Sequence, residues 1–352
     1  MPETVSSQPS TPPKRRALVW LEQEQVGLIR AVAEQADIAI AWAGSPAGRG
    51  SASDVATALQ AEPVHDLRRA LATTDADLLL FAATESAGSP LDDPDLLRAL
   101  DERGVRLASM EPTPATTLDF SRFAVGEKTR ELVRFVPSTR RSRGFRAAAE
   151  VIESIGSPRT LTISQRSGAG QGSLFARLFD AMELVYSILG EPEAIDASNA
   201  GPVSASGVHL APGESLRDLR GDMTANVRFG GARSASVSLS DSAGRWLRGA
   251  TLVAQGGCLR MDDKSFEVIA PDGKTVDRSR SRVSSGSQDD PGAAAAIAEQ
   301  VAQILDPRAP RLAPLAGAGH AAVLAMCEAA LLSARTGQPE SPGTFLRMAG
   351  AR

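Results

Sequence analysis

From Arg16 onward, short apolar runs alternate with stretches whose apolar residues recur every three to four positions, the pattern of strands alternating with amphipathic helices. Residues 17–20, 38–43, a brief stretch at Val64, 78–83 and 105–110 read as strands. Between them Val26, Leu28, Ile29, Ala31, Val32 and Ala36 share one helical face, Asp54 and Asp66 are placed to cap two further helices, and residues 91–103 make another. Strands and helices linked by short turns predict a Rossmann-like, doubly wound parallel sheet over residues 16–120.

Past Pro112 and Pro114 the texture changes. A helix over 146–155 leads to a strand at 160–165, and a second helix over 173–189 stops at Gly190 with Pro192 behind it. Strand-like stretches follow at 223–229, 234–239, 250–254, 258–261 and 266–269, separated by Gly230-Gly231, Gly256-Gly257 and Asp272-Gly273. Close succession with glycine turns predicts an open, mainly antiparallel sheet in an α+β domain over 121–337. Residues 278–290, rich in Ser and Arg, read as a loop, and alanine-rich helices are expected at 293–305 and 318–333. Residues 1–15 and 338–352 read as tails.

Composition narrows the partners. A formal charge of -4 and an aromatic content of 4% give neither a basic footprint nor a stacking platform for nucleic acid. No apolar run reaches membrane-spanning length and the polar start lacks a signal-peptide core, so a cytoplasmic protein is expected. Cys258 and Cys327 have no CxxC or histidine-spaced partner, so no metal site is expected.

Several strings carry a resemblance: Glu111-Pro112 after the last strand of the first domain, Arg140-Arg141 before a helix ending at Gly156, Leu189-Gly190-Glu191-Pro192 closing the next, and Ser333-Ala334-Arg335-Thr336-Gly337 near the end. In their order and spacing the chain resembles the Gfo/Idh/MocA oxidoreductases, over about residues 16–337. That resemblance implies NAD or NADP in the first domain, with Ser45, Arg49, Thr84 and Glu111 as the positions that would touch it. It also implies a sugar, cyclitol or related polyol against the second domain, and homo-oligomers formed through the open sheet.

Departures from the pattern bear on activity. A dinucleotide turn needs glycines so that backbone N–H groups approach the pyrophosphate, whereas here the turn runs from Trp20 to Gly27 with one glycine and with Glu22 and Glu24. At about 4 Å and an effective dielectric of about 20, each carboxylate would repel a phosphate charge by on the order of 4 kcal/mol. The ribose-reading acid is missing after the second strand, where Ser45 and Arg49 could grip an NADP 2′-phosphate or form a surface loop. The family's catalytic lysine is replaced by Pro112. Its histidine position falls on Asp180, with Glu183 at the following acid and Ala176 at an earlier one.

Asp180 and Glu183, three apart on one helix, fit either a general base with its orienting group or a cation site; equally, Arg177 and Asp180 form a helical ion pair and Glu183 is solvated. Arg140 and Arg141, in a run with Arg134, Arg143 and Arg146, are candidate anion-binding residues or a solvated helix entry. Trp20 and Trp246 read as packing residues, and the three histidines as ordinary surface or helix-start residues. Three functions follow: a degenerate relative that binds a small polyol or anion or serves as a partner subunit; an active NAD(P)-dependent oxidoreductase using Asp180 and Glu183; and a structural or assembly protein.

Overall fold

The computed structural model describes residues 14–46, 48, 50–83, 91, 93–123, 132–201, 216–280, 292–308 and 317–350. The first sheet contains β1 (Arg15–Trp20), β2 (Ile38–Gly44), β3 (Glu62–Val64), β4 (Leu78–Phe81), β5 (Arg106–Ser109) and β6 (Val133–Phe135). All are parallel, in the order β3-β2-β1-β4-β5-β6. Helices α1 (Val26–Gln35), α2 (Ala52–Leu59), α3 (Leu67–Thr73) and α4 (Pro94–Glu102) form the crossovers. The inner ends of β1 and all of β4 are buried, because helices cover both faces of a parallel sheet. Ser51 caps α2 through the Asp54 N–H, one turn earlier than the sequence indicated; Asp66 caps α3 as expected. Asp93 caps α4, three residues into the expected helix.

Strand β6 lies beyond residue 120 and extends this first sheet. Helix α5 (Thr117–Phe123) precedes β6, and α6 (Arg143–Ile152) and α7 (Leu174–Leu189) follow it. Helix α8 (Gly292–Leu305) returns to the first sheet from far along the chain: Ile297 and Val301 share a core with Val19, Ile29 and Leu80. One face of the Rossmann-like unit is thus completed by chain that follows the second sheet.

The second sheet has eight strands: β7 (Pro158–Arg166), β8 (Ala194–Ala200), β9 (Asp222–Phe229), β10 (Arg233–Ser240), β11 (Leu247–Ala254), β12 (Gly257–Asp262), β13 (Ser265–Ile269) and β14 (Thr275–Arg280). Their order is β14-β13-β12-β11-β7-β10-β9-β8, antiparallel except for β7 beside β10. Burial alternates residue by residue along β9, so one face packs against α6, α7 and α9 (Gly317–Thr336) while Thr224, Asn226 and Arg228 point from the other. The Ser/Arg stretch read as a loop begins inside β14, which pairs with β13 through Arg278 and Ser279; residues 281–290 lie outside the described residues.

The expected C-terminal tail carries α10 (Pro342–Met348), with Leu346 in the second core, and Glu340 bridges to Ile195. Its buried apolar residues hold it down, as a tail's do not. Among the described residues no helix is long and apolar enough to cross a membrane.

Candidate functional site

In an open α/β sheet the ligand crevice lies at the carboxyl ends of the strands where the order reverses, here between β1 and β4. Beyond β1, residues Gln23–Gln25 make one 3-10 turn that runs straight into α1. Gly27, the one glycine of the expected phosphate turn, lies inside α1, leaving no glycine in the turn itself. Gln25 is buried. Its Oε1 accepts the Glu22 N–H at 2.9 Å, and its Nε2 donates across the crevice to the Ala82 carbonyl at 3.0 Å and to the Gly170 carbonyl, on the second domain, at 3.5 Å. Residues 168–172 press onto this turn: a side chain at Gly170 would come within 3.3 Å of the Glu24 carbonyl oxygen.

A cleft of about 260 Å³ opens between the domains at this point. It is lined by Glu22, Glu24, Gln25, Glu111, Ser173, Arg217, Asp218, Arg220, Asp241 and Ser242 among others, so that five carboxylates face two guanidinium groups. Glu111, which follows β5, reaches across to the start of α7: its Oε1 accepts the Ser173 N–H at 2.9 Å and its Oε2 the Ser173 hydroxyl. Burial raises the Glu111 carboxyl above its ordinary value, opposed by these hydrogen bonds and by Arg177 and Arg220. Asp241, which accepts the Gly221 N–H, is raised by burial as well.

Below the cleft lies a buried charge array. Asp180 has no exposed side-chain surface; it accepts the Thr139 N–H at 2.6 Å, Gln165 Nε2 at 3.0 Å, Arg248 Nη1 at 3.2 Å and the Thr139 hydroxyl. Burial pushes its carboxyl up, and Arg248 and Arg177 pull it down. Arg248, equally buried, also donates to the Pro137 carbonyl and pairs with Asp263 at 2.7 Å. Burial works against its charge, but Asp263 and Asp180 outweigh that and hold its pKa above the ordinary value. Gln300 of α8 brackets Ser138 through both backbone groups, so the segment 137–139 is clasped from α7, α8 and β11.

Glu183 pairs with Arg140 at 3.1 Å and accepts the Ser138 hydroxyl. The expected Arg177–Asp180 helical pair is absent, and Glu183 is not solvated: a helical carboxylate satisfied by a backbone segment and by arginines from other elements has no lone pair to spare for an i−3 neighbour. Trp246 is more than packing, since Arg177 and Arg248 both lie over its ring, at 4.6 and 5.1 Å, and its Nε1 donates to Asp263.

No family model matches this chain, and no curated protein is similar to it in sequence. Solved structures are similar in fold. Levoglucosan dehydrogenase, in complex with NADH and levoglucosan, matches at TM-score 0.66 and 12% identity over 93% of this chain and 99% of its own. An oxidoreductase from Agrobacterium radiobacter, in complex with NAD+, L-tartaric acid and magnesium, matches at 0.64 and 17%, covering 95% and 100%. A myo-inositol dehydrogenase from Corynebacterium glutamicum matches at 0.57 and 18%, covering 93% and 98%. The fold is that of the Gfo/Idh/MocA oxidoreductases.

Set on this Gfo/Idh/MocA fold, the strings of the resemblance have structural duties. Gly190 ends α7 with φ of 82°, Gly156 ends the turn after α6 with φ of 81°, and the Ser333 hydroxyl accepts the Ala197 N–H to tie α9 to β8. Of the residues singled out from sequence, Glu111 lines the cleft, together with Glu22 and Glu24 of the expected phosphate turn. Asp180, Glu183 and Arg140 gather beneath it around segment 137–139. Arg141 is largely buried, which lowers its pKa. Ser45 is buried at the end of β2. Arg49 and Thr84 lie outside the described residues. Gln25, Arg220 and Asp241, all cleft residues, were missed because they come from three separate loops; the missing glycine in the turn was the one sequence signal that could have drawn attention to Gln25.

The residues at the crevice do not fit a dinucleotide in the usual pose. The chain itself spans the gap through Gln25, and the carboxylates of Glu22 and Glu24 stand where a pyrophosphate would need donors.

Proposed function

We propose that this chain is a Gfo/Idh/MocA-fold protein without hydride transfer, whose interdomain cleft binds a small polyol. One observation carries the reading: Gln25 bridges the switch-point crevice to Ala82, flanked by Glu22 and Glu24. The cleft's chemistry points the same way. Carboxylates accept hydroxyl protons, and arginines donate to ring and hydroxyl oxygens, so a surface of both suits a neutral ligand dense in hydroxyls and opposes a diphosphate. Asp180 and Glu183 act in this reading as clasps, because their oxygens are already engaged by Thr139, Gln165, Arg248, Ser138 and Arg140.

Thermal unfolding with each of NAD+, NADH, NADP+ and NADPH, and with levoglucosan and myo-inositol, tests the reading. A ligand at 100 times its Kd stabilises by about 2.7 kcal/mol. The expected result is no shift with any coenzyme and a rise with a polyol. A coenzyme-induced rise of that size would sink the proposal.

A further inference from the structure

Arg177, one turn into α7, is wholly buried, and its Nε, Nη1 and Nη2 have no hydrogen-bond acceptor. Its guanidinium stacks on Trp246 at 4.6 Å. Carboxylates surround it electrostatically, with Asp180, Glu111 and Asp263 favouring its charge while burial lowers its pKa to about 10, so it remains a cation at neutral pH. None of these carboxylates takes its protons. Five buried N–H donors without acceptors are costly, more so on a charged group, and this one lies one turn into a helix whose N-cap, Ser173, lines the cleft.

The guanidinium reaches the cleft wall at one residue. Arg177 Nη2 lies 3.0 Å from where a side chain on Gly172 would begin, and Gly172, with φ of 110°, lines the cleft. A Cβ at residue 172 would crowd Nη2, so a glycine leaves room for the guanidinium directly behind the cleft wall, in a segment where Gly168 and Gly170 add backbone freedom.

We propose that Arg177 is the receptor for the carboxylate of a sugar-acid ligand, entered from the cleft past Gly172, with the ligand's hydroxyls left to the acidic and Arg220 side of the cleft. This rests on the reading of the cleft as a polyol site and narrows it. A planar guanidinium fork matches a carboxylate in two parallel hydrogen bonds. A dianionic phosphate fits less well, since Glu111 and Asp180 already crowd the cation and would repel the second charge.

The test is calorimetric titration of the full chain with D-glucuronate and D-gluconate against D-glucose and myo-inositol, repeated on Arg177→Met and Arg177→Lys. The acids should bind about tenfold or more tightly than the neutral compounds, as a charge-assisted bidentate pair implies. Arg177→Met should erase that preference and leave neutral binding in place. Arg177→Lys, charged but without the fork, should keep part of the preference, and it carries the comparison if the Met variant does not fold. Neutral polyols binding as well as the acids, or an acid preference that survives Arg177→Met, would overturn the assignment and leave the cleft reading standing. Silence of all four compounds would overturn both.

Discussion

Glu111 and Ser173 join the two domains: a carboxylate at the end of the first sheet takes both the backbone N–H and the hydroxyl of the residue that caps the first long helix of the second unit. An acid at a helix N-terminus is well placed with respect to the macrodipole. Ser173 in turn accepts the Ala176 N–H, so the helix cap and the domain contact form a single chain of hydrogen bonds.

That contact makes stability depend on pH. Burial holds Glu111 above its ordinary 4.5 in the folded chain. Between that ordinary value and the raised one, the folded state binds the proton that the unfolded state has lost, so Glu111's contribution falls as pH rises through this window and is recovered on acidification. Glu111→Gln should flatten the corresponding slope in midpoint-against-pH curves above pH 4.5. An unchanged slope would show that Glu111 does not titrate with folding.

Asp180 and Arg248 are both fully buried and share an ion pair. Breaking a buried pair from one side strands the other charge at a cost of about 3–5 kcal/mol. Asp180→Asn and Arg248→Met should each destabilise by that order in denaturant melts. The double variant should lose clearly less than the sum, since partners in one network are not additive. Losses under about 1 kcal/mol would mean that the clasp on segment 137–139 is weak and that Asp180 is free for other work.

Two glycines in helices should respond to alanine with opposite signs. At Gly27 in α1 nothing lies within 4 Å of the new Cβ, so Gly27→Ala should stabilise by about 0.5–1 kcal/mol through helix propensity. At Gly144 in α6 the Cβ would fall 2.0 Å from the Asp262 carbonyl oxygen and 2.6 Å from the Ser265 nitrogen, both backbone atoms. Gly144→Ala should therefore destabilise by about 1–3 kcal/mol, as overpacking does. Equal effects in urea titrations would contradict this packing of α6 on the β12–β13 turn.

Leu346 of α10 lies in the second core at 6% exposure. Leu346→Ala should cost about 2–5 kcal/mol, measurable as a drop in chemical-denaturation midpoint. A true tail would show no change.

The outline of the fold was legible because its signals are local. Buried parallel strands are continuous apolar runs, as 78–81 is, and antiparallel strands with one wet face alternate, as β9 does; neither needs a partner to be recognised. Asp66 and Gly190 acted at the ends of their helices as their chemistry dictates. The elements that escaped were those whose stability comes from neighbours: α5, tied to α9 through Thr117 and Glu328; three-residue β6, held by β5; β8, held by β9; β14, a polar edge strand held by β13; and α10, held by one buried leucine and its surroundings.

Sequence by itself determined the succession of the main strands and helices, the absence of a glycine-rich phosphate turn and the presence of Pro112, not a lysine, after Glu111. Tertiary structure alone decided what the remaining charges do. It carried Arg248 to Asp180 across 68 residues, Ser173 to Glu111 across 62 and Gly170 to Gln25 across 145. A carboxylate's role depends on which donors reach it and on how much water they displace, and those distances are set by the closure of two sheets and α8 on one another rather than by spacing along the chain.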